Sequence, residues 1–282
     1  SGNTQDYSGR IKSSGSAVSI DTNSQSVTFA SAIDSSNTGG LTKLGAGTLT
    51  LSGSNTYSGN TTVSAGILSI TSTSALPGWN TAGRFSVASG AILAVGDGVA
   101  NADVTSLVAT GNFAAGSSLG FDVTGSRTAA GLSGSGGLTK LGAGTLTLSG
   151  SNTYSGATTV SSGTLVAGSA NAFGNAAGNL VAAGGVLDLG NLQFVRTGTV
   201  SFTGGNVQSG TISNSTVAFD GQSGTVSATL AGSSGLTKTG AGTLTLSGSN
   251  TYSGNTTVSA GILSITSTSA LPGWNTAGRF SV

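Results

Sequence analysis

The run Thr48-Leu49-Thr50-Leu51 alternates polar and apolar residues, which gives an extended chain one apolar face. Gly53-Ser54-Asn55 then reads as a turn and Thr61-Thr62-Val63 as a short strand. Ala65-Gly66 breaks that strand, and Ile67-Leu68-Ser69-Ile70 makes the next. Strands of three to five residues are predicted throughout. Pieces this short are marginal as isolated hairpins in water. Stacked on the equivalent strand of the next turn, they build a parallel sheet around a dry interior. Each coil then buries its apolar residues by having neighbours above and below. Helix signals are nearly absent: there is no Glu, little Lys, Gln or Arg, and a Gly every few residues. The pattern predicts an all-β chain.

The chain also repeats itself. Gly45 to Val87 recurs without a change as Gly240 to Val282, a period of 195 residues. Leu41 to Gly53 reappears as Leu138 to Gly150, and again as Leu236 to Gly248 with Thr239 in place of Leu44. The two spacings are 97 and 98 residues. Periodicity on this scale is the mark of a solenoid. With about 19 to 20 residues per coil and about 4.8 Å between stacked strands, the chain would make about 14 coils rising about 70 Å. One continuous domain over 1–282 is expected, with repeat copies near 39–87, 136–190 and 234–282.

The copies align Ala75-Leu76-Pro77-Gly78-Trp79-Asn80-Thr81-Ala82-Gly83 with the shorter Ala172-Phe173-Gly174-Asn175-Ala176-Ala177-Gly178. A segment that tolerates a length change belongs at the surface. Trp79 and its copy Trp274 are therefore candidates for contact with a ligand or partner; the alternative is a ring folded over Leu76 or Leu271.

Composition narrows the function classes. Gly supplies 49 of 282 residues and 6% are charged, so solubility falls to Ser, Thr and Asn. A net charge of +1 with scattered basic residues gives no electrostatic reason to expect nucleic acid or an anionic membrane as partner. No His or Cys occurs, which closes off Ser-His-Asp and Cys-His chemistry and argues against zinc. No signal peptide or membrane-spanning stretch is visible. The absence of Met and the stop in mid-repeat point to a piece of a larger protein. No cofactor is expected.

The repeat unit itself is distinctive. Gly40-Leu41-Thr42-Lys43-Leu44-Gly45-Ala46-Gly47-Thr48-Leu49-Thr50-Leu51-Ser52-Gly53-Ser54-Asn55-Thr56-Tyr57-Ser58-Gly59, continued by Thr61-Thr62-Val63-Ser64-Ala65-Gly66-Ile67-Leu68, closely resembles the passenger-associated strand repeat of bacterial autotransporters. The motif residues are Leu41, Lys43, Gly45, Gly47, Leu49, Leu51, Gly53, Asn55, Tyr57, Gly59, Val63, Gly66 and Leu68. The resemblance implies a right-handed parallel β-helix passenger, exported across both membranes and tethered to the outer membrane by a C-terminal barrel that this chain lacks. In that family the repeat is thought to aid folding outside the cell. Passengers act as adhesins, aggregation factors, toxins or stalks. The implied role here is a structural stalk or adhesin segment, neighboured by further repeats of the same long chain. Self-association between rods and a host-cell or matrix glycan or protein are the other candidate partners. A self-assembling matrix fibre is a second reading, and a carbohydrate-active β-helix enzyme a third.

The polar residues admit specific roles. Asp103 and Asp122 stand 19 apart, near one coil, and could be vertical neighbours of the kind glycoside hydrolysis uses; alternatively Asp122 ends a strand and bonds its own turn. Asp97, Asn101 and Asp103 bring three oxygen side chains within seven residues, which makes them a calcium candidate or an Asx-rich turn. Tyr7, Tyr57, Tyr154 and Tyr252 all sit in Tyr-Ser-Gly and read as strand-end aromatics with the hydroxyl in water. Lys43, Lys140 and Lys238 read as a solvated ladder that discourages side-by-side sheet pairing.

Overall fold

A computed structural model describes residues 5–282. The chain is a right-handed parallel β-solenoid of about 13 turns with one short helix. The described residues fall into two compact units, residues 5–125 with 132–139, and residues 126–131 with 140–282.

In the first unit, Val18–Asp21, Leu41–Leu44, Thr61–Val63, Phe85–Val87 and Asn112–Phe113 pair in parallel as one five-stranded stack. A second stack joins Ser26–Phe29, Thr48–Leu51, Ile67–Ile70, Ile92–Val95 and Ser118–Asp122. Register places like on like. Val27, Leu49, Leu68, Leu93 and Leu119 form one inward column, and all five are buried. Burying each such side chain fully is worth about 1.5–3 kcal/mol. The period-two alternation is thus the source of the core. Outward positions on the same strands carry Ser26, Thr48 and Thr50.

The second unit repeats the plan. Leu146, Leu165, Leu187, Val207, Val226 and Leu246 stack in register and are buried. Its middle coils depart from the expected short strands: Val186–Arg196, Val200–Asn214 and Phe219–Val226 are 11, 15 and 8 residues long. The bends that remain are made by pairs such as Gly190 and Asn191, both at φ 60°, and Ser209 and Gly210, at φ 60° and 156°. Such a two-residue bend turns the chain through a register shift without ending the ladder.

The count of about 13 turns agrees with the expected 14 or so, but coils are less uniform than the sequence suggests. The register step runs from 17 residues, Phe219 to Leu236, to 26, Ile92 to Ser118. That longest coil carries the helix Asn101–Thr110, a local insertion in a fold that is otherwise all β as expected. The helix has local support. Val104 and Leu107 bury one face, Asp103 lies in the first turn where the helix dipole favours an acid, and Gly111 closes the last turn by donating to Leu107 O at 2.9 Å. Thr105, Ser106 and Thr110 turn their hydroxyls back onto carbonyls one turn earlier.

Candidate functional site

The polar side chains of the repeat gather inside the coils. Lys43 pairs in register with Ile20 below and Val63 above, so its stem occupies an inward column of otherwise apolar residues. It is 0% exposed, as are Lys140 and Lys238. The expected solvated ladder is therefore overturned. The reason is phase: Leu41 points inward, so alternation carries Lys43 inward with it. The flexible stem lets the ammonium leave the column for the adjacent corner. There Lys43 Nζ donates to Leu44 O at 2.6 Å, Gly45 O at 2.8 Å and, on the next coil, Ala65 O at 3.4 Å. Lys140 repeats this with Leu141 O, Gly142 O at 2.9 Å and Ser162 O at 3.4 Å. Lys238 donates to Gly240 O and to Ala260 O at 3.1 Å. Burial pushes the Lys43 ammonium below its ordinary value, while the charge of Asp21 pushes it back up.

The corner that receives the ammonium is one residue longer than the corner above it. Lys43 and Thr48 are five residues apart, but their partners Val63 and Ile67 are four apart. Lys238 and Thr243 repeat the mismatch against Val258 and Ile262. Gly66, at φ +63°, makes room for the ammonium: a Cβ there would lie 3.1 Å from Lys43 Nζ and 2.6 Å from the carbonyls of Gly45 and Gly47.

Asn55 holds three coils together. Its Oδ1 accepts the Ile33 N–H at 2.8 Å from the coil below, and its Nδ2 donates to Ala75 O at 2.7 Å on the coil above. Asn250 does the same with Leu230 N at 2.8 Å and Ala270 O at 2.7 Å; Asn152 donates to Ala172 O at 2.9 Å. Tyr57, Tyr154 and Tyr252 are buried, which corrects the expectation of a hydroxyl in water. Each hydroxyl bonds the Oγ1 of Thr61, Thr158 or Thr256, four residues on, at 2.6–2.7 Å. Tyr7 is 41% exposed.

Burial raises the Tyr57 phenol to about 12, against smaller opposing effects of Thr61 and Arg84. Tyr154 and Tyr252 shift the same way, with Arg196 and Arg279 as the opposing cations. These arginines escaped the sequence reading. Arg196 is 3% exposed and donates to Phe173 O at 3.2 Å, Asn175 O at 2.9 Å and Gly178 O. Arg84 donates to Gly59 O at 3.3 Å, and Arg279 to Gly254 O at 2.9 Å. The available signal was the identity of Arg84 and Arg279 within the duplicated stretch. For Arg196, which grips a loop 18 to 23 residues away, no local pattern exists.

A family model for the passenger-associated transport repeat matches residues 41–70, 138–167 and 236–265. Three segments of the chain are thus similar to that repeat. Each match starts at the strand that bears the buried Lys and ends with the coil above it, so one repeat holds both the ammonium and the farthest carbonyl it reaches. Repeats of this kind on a β-solenoid are consistent with an autotransporter passenger. No curated protein and no solved structure matches the chain.

Outside the repeat clamp, the other candidates separate. Asp122 ends the strand Ser118–Asp122, whose register sets Phe121 on Val95; its Oδ2 accepts from Ser69 Oγ at 3.4 Å. Asp103 lies in the helix, so the proposed vertical pair is not formed. Asp97 accepts from Thr124 N at 3.1 Å and from its hydroxyl, while Asn101 opens the helix. The Asx-rich turn expected over 97–103 is thus half helix. Among the described residues no cluster of three or more His, Cys, Asp or Glu could hold a metal ion. No helix among them is long and apolar enough to cross a membrane. Trp79 is half-buried beside the helix, where Thr110 Oγ1 donates to its carbonyl at 3.0 Å. Trp274, in the identical sequence, is 55% exposed.

Proposed function

We propose that this segment is a mechanical stalk of a bacterial cell-surface autotransporter, tethered through a C-terminal outer-membrane barrel and serving adhesion or cell–cell aggregation. The observation that carries this reading is where the chemistry of the repeat goes. Lys, Asn and Tyr of all three matched repeats bond coil to coil or bond their own turn, and the outward positions of strands such as Thr48–Leu51 carry Thr and not charge. A segment built this way resists extension through main-chain ladders and internal clamps, without disulfides. Its role is structural, with no reaction assigned to it.

Electron microscopy of cells bearing the parent protein, labelled with an antibody against this segment, tests the reading. Label along thin projections from the envelope supports a stalk. Label in the medium around bare cells overturns it in favour of a released passenger. Sedimentation of the same cells with and without the segment reports on aggregation.

A further inference from the structure

Alternation of apolar and polar residues fixes which face of a strand turns inward, but not which coil comes next. Thr145-Leu146-Thr147-Leu148 and Thr164-Leu165-Val166-Ala167 present the same inward and outward pattern to the strand Ser126–Ala129. In the first unit, Thr48–Leu51 and Ile67–Ile70 likewise both bury their second and fourth residues, though Ser69 at the third position is buried as well. A solenoid of such coils faces a register problem: a coil can be skipped and looped out, and the next can take its place with little loss of apolar burial.

We propose that the buried lysine and the extra corner residue beside it form a register key, which admits the correct following coil and rejects a skipped one. The lock is the longer corner, Leu141-Gly142-Ala143-Gly144, whose carbonyls the ammonium meets. The second half is the corner above, where Lys140 reaches Ser162 O and a Cβ on Gly163 would lie 2.7 Å from Nζ. An ammonium in an apolar column needs its carbonyl partners, because a buried charge without them is strongly unfavourable. With a different coil above, Lys140 would keep its own corner but lose the matched one. With its own coil looped out, the apolar column closes but the clamp is gone. A key recurs at Lys43, Lys140 and Lys238, so slippage would be checked at intervals of 97 and 98 residues. The inference concerns assembly of coils within the chain, and stands whether or not the segment serves as a stalk.

The chain contains no Cys, so engineered pairs report register without interference. Thr147 and Val166 are Cα partners with outward side chains, and Thr128 is the partner of Thr147 one coil below. A Thr147→Cys/Val166→Cys pair reads the native register. A Thr128→Cys/Val166→Cys pair cross-links when the intervening coil is skipped. Each pair is built into the full chain, refolded, oxidised and quantified in three backgrounds: parent, Lys140→Met, and Lys140→Met with Ala143 deleted. The deletion shortens the corner to match the one above, so the last background can fold even where Lys140→Met alone cannot. The key predicts the 147–166 bond alone in the parent, and a new 128–166 bond with a reduced 147–166 yield in the keyless backgrounds. Folded keyless chains that form only the 147–166 bond, at parental yield, overturn it and leave the lysine a stabilising contact only.

Discussion

Gly163, on the coil above, faces the ammonium of Lys140: a Cβ there would come within 2.7 Å of Nζ, and within 2.4 Å of Gly144 O. The residue is also held at φ +64°, where a side chain is strained by about 1–2 kcal/mol. Gly163→Ala should therefore destabilise the chain by about 2 kcal/mol or more, strain and displacement together. Urea unfolding checks this. Gly125→Ala, at a site open to solvent with no atom within 4 Å of an added Cβ, should change stability by no more than about 0.5 kcal/mol.

Replacing Asn55 by Ala leaves the Ile33 N–H and the Ala75 carbonyl without the amide that joins them. Each buried group left unpaired costs about 1–3 kcal/mol. The expected outcome is a loss of about 2–4 kcal/mol, with hydrogen exchange at Ile33 accelerated well before global unfolding. Exchange at amides of the second unit should be unchanged, because the bonds that Asn55 makes lie wholly within the first.

Arg196→Met removes three donations to the loop Phe173–Gly178 while keeping much of the apolar stem. Hydrogen bonds from charged donors contribute about 1.5–3 kcal/mol each before relaxation, so a loss of about 3 kcal/mol is expected overall. Limited proteolysis should then open the chain within 173–178. Continued resistance there would show that the loop is held by other contacts.

Alkaline pH should weaken the fold. Tyr57 ionises at about 12 in the folded chain against 10.0 for a free phenol, and Tyr154 and Tyr252 shift the same way. Between those values the folded state holds protons that the unfolded state has released, so stability falls as pH rises. Lys43 moves downward from 10.5 and acts in the opposite sense, but below that value. The decline should therefore be clearest between about pH 10.5 and 12. Absorbance of phenolate during a pH titration, read beside circular dichroism, checks it. Ionisation of all four tyrosines near 10 in a folded chain would contradict the burial of three of them.

The two tryptophans should differ in solution. Trp274 should be quenched more strongly by iodide in Trp79→Phe than Trp79 is in Trp274→Phe, following the exposure of the first and the half-burial of the second.

Much of this fold is legible in single residues. Leu49 and Leu51 alternate with threonines, and they stack inward as alternation requires. Lys43 and Tyr57 were misplaced because chemical type outweighed position. A charge suggests solvent, yet the phase set by Leu41 already pointed Lys43 inward. The hydroxyl of Tyr57 suggests water, yet Thr61 stands four residues on to receive it. The helix was missed because the Gly-rich composition of the whole concealed one stretch with local support, from Val104 to Leu107. Arg196 was not legible at all, since its partners lie on another coil and are main-chain atoms. The carbonyl cages around Lys43 and Lys140 likewise depend on a one-residue difference between neighbouring corners, visible only once register is known.

Those cages have a wider meaning for how such a chain can change. Lys43, Lys140, Lys238, Arg196 and the amide of Asn55 all grip main-chain atoms of a neighbouring coil, not its side chains. Any sequence offers carbonyls and amides in those places, so the neighbour is free to vary in everything except its path. A block of coils can then be copied into a new position and find its attachments waiting. The unaltered second copy of 43 residues, set 195 residues from the first, is what a structure with such generic joints can accept without redesign.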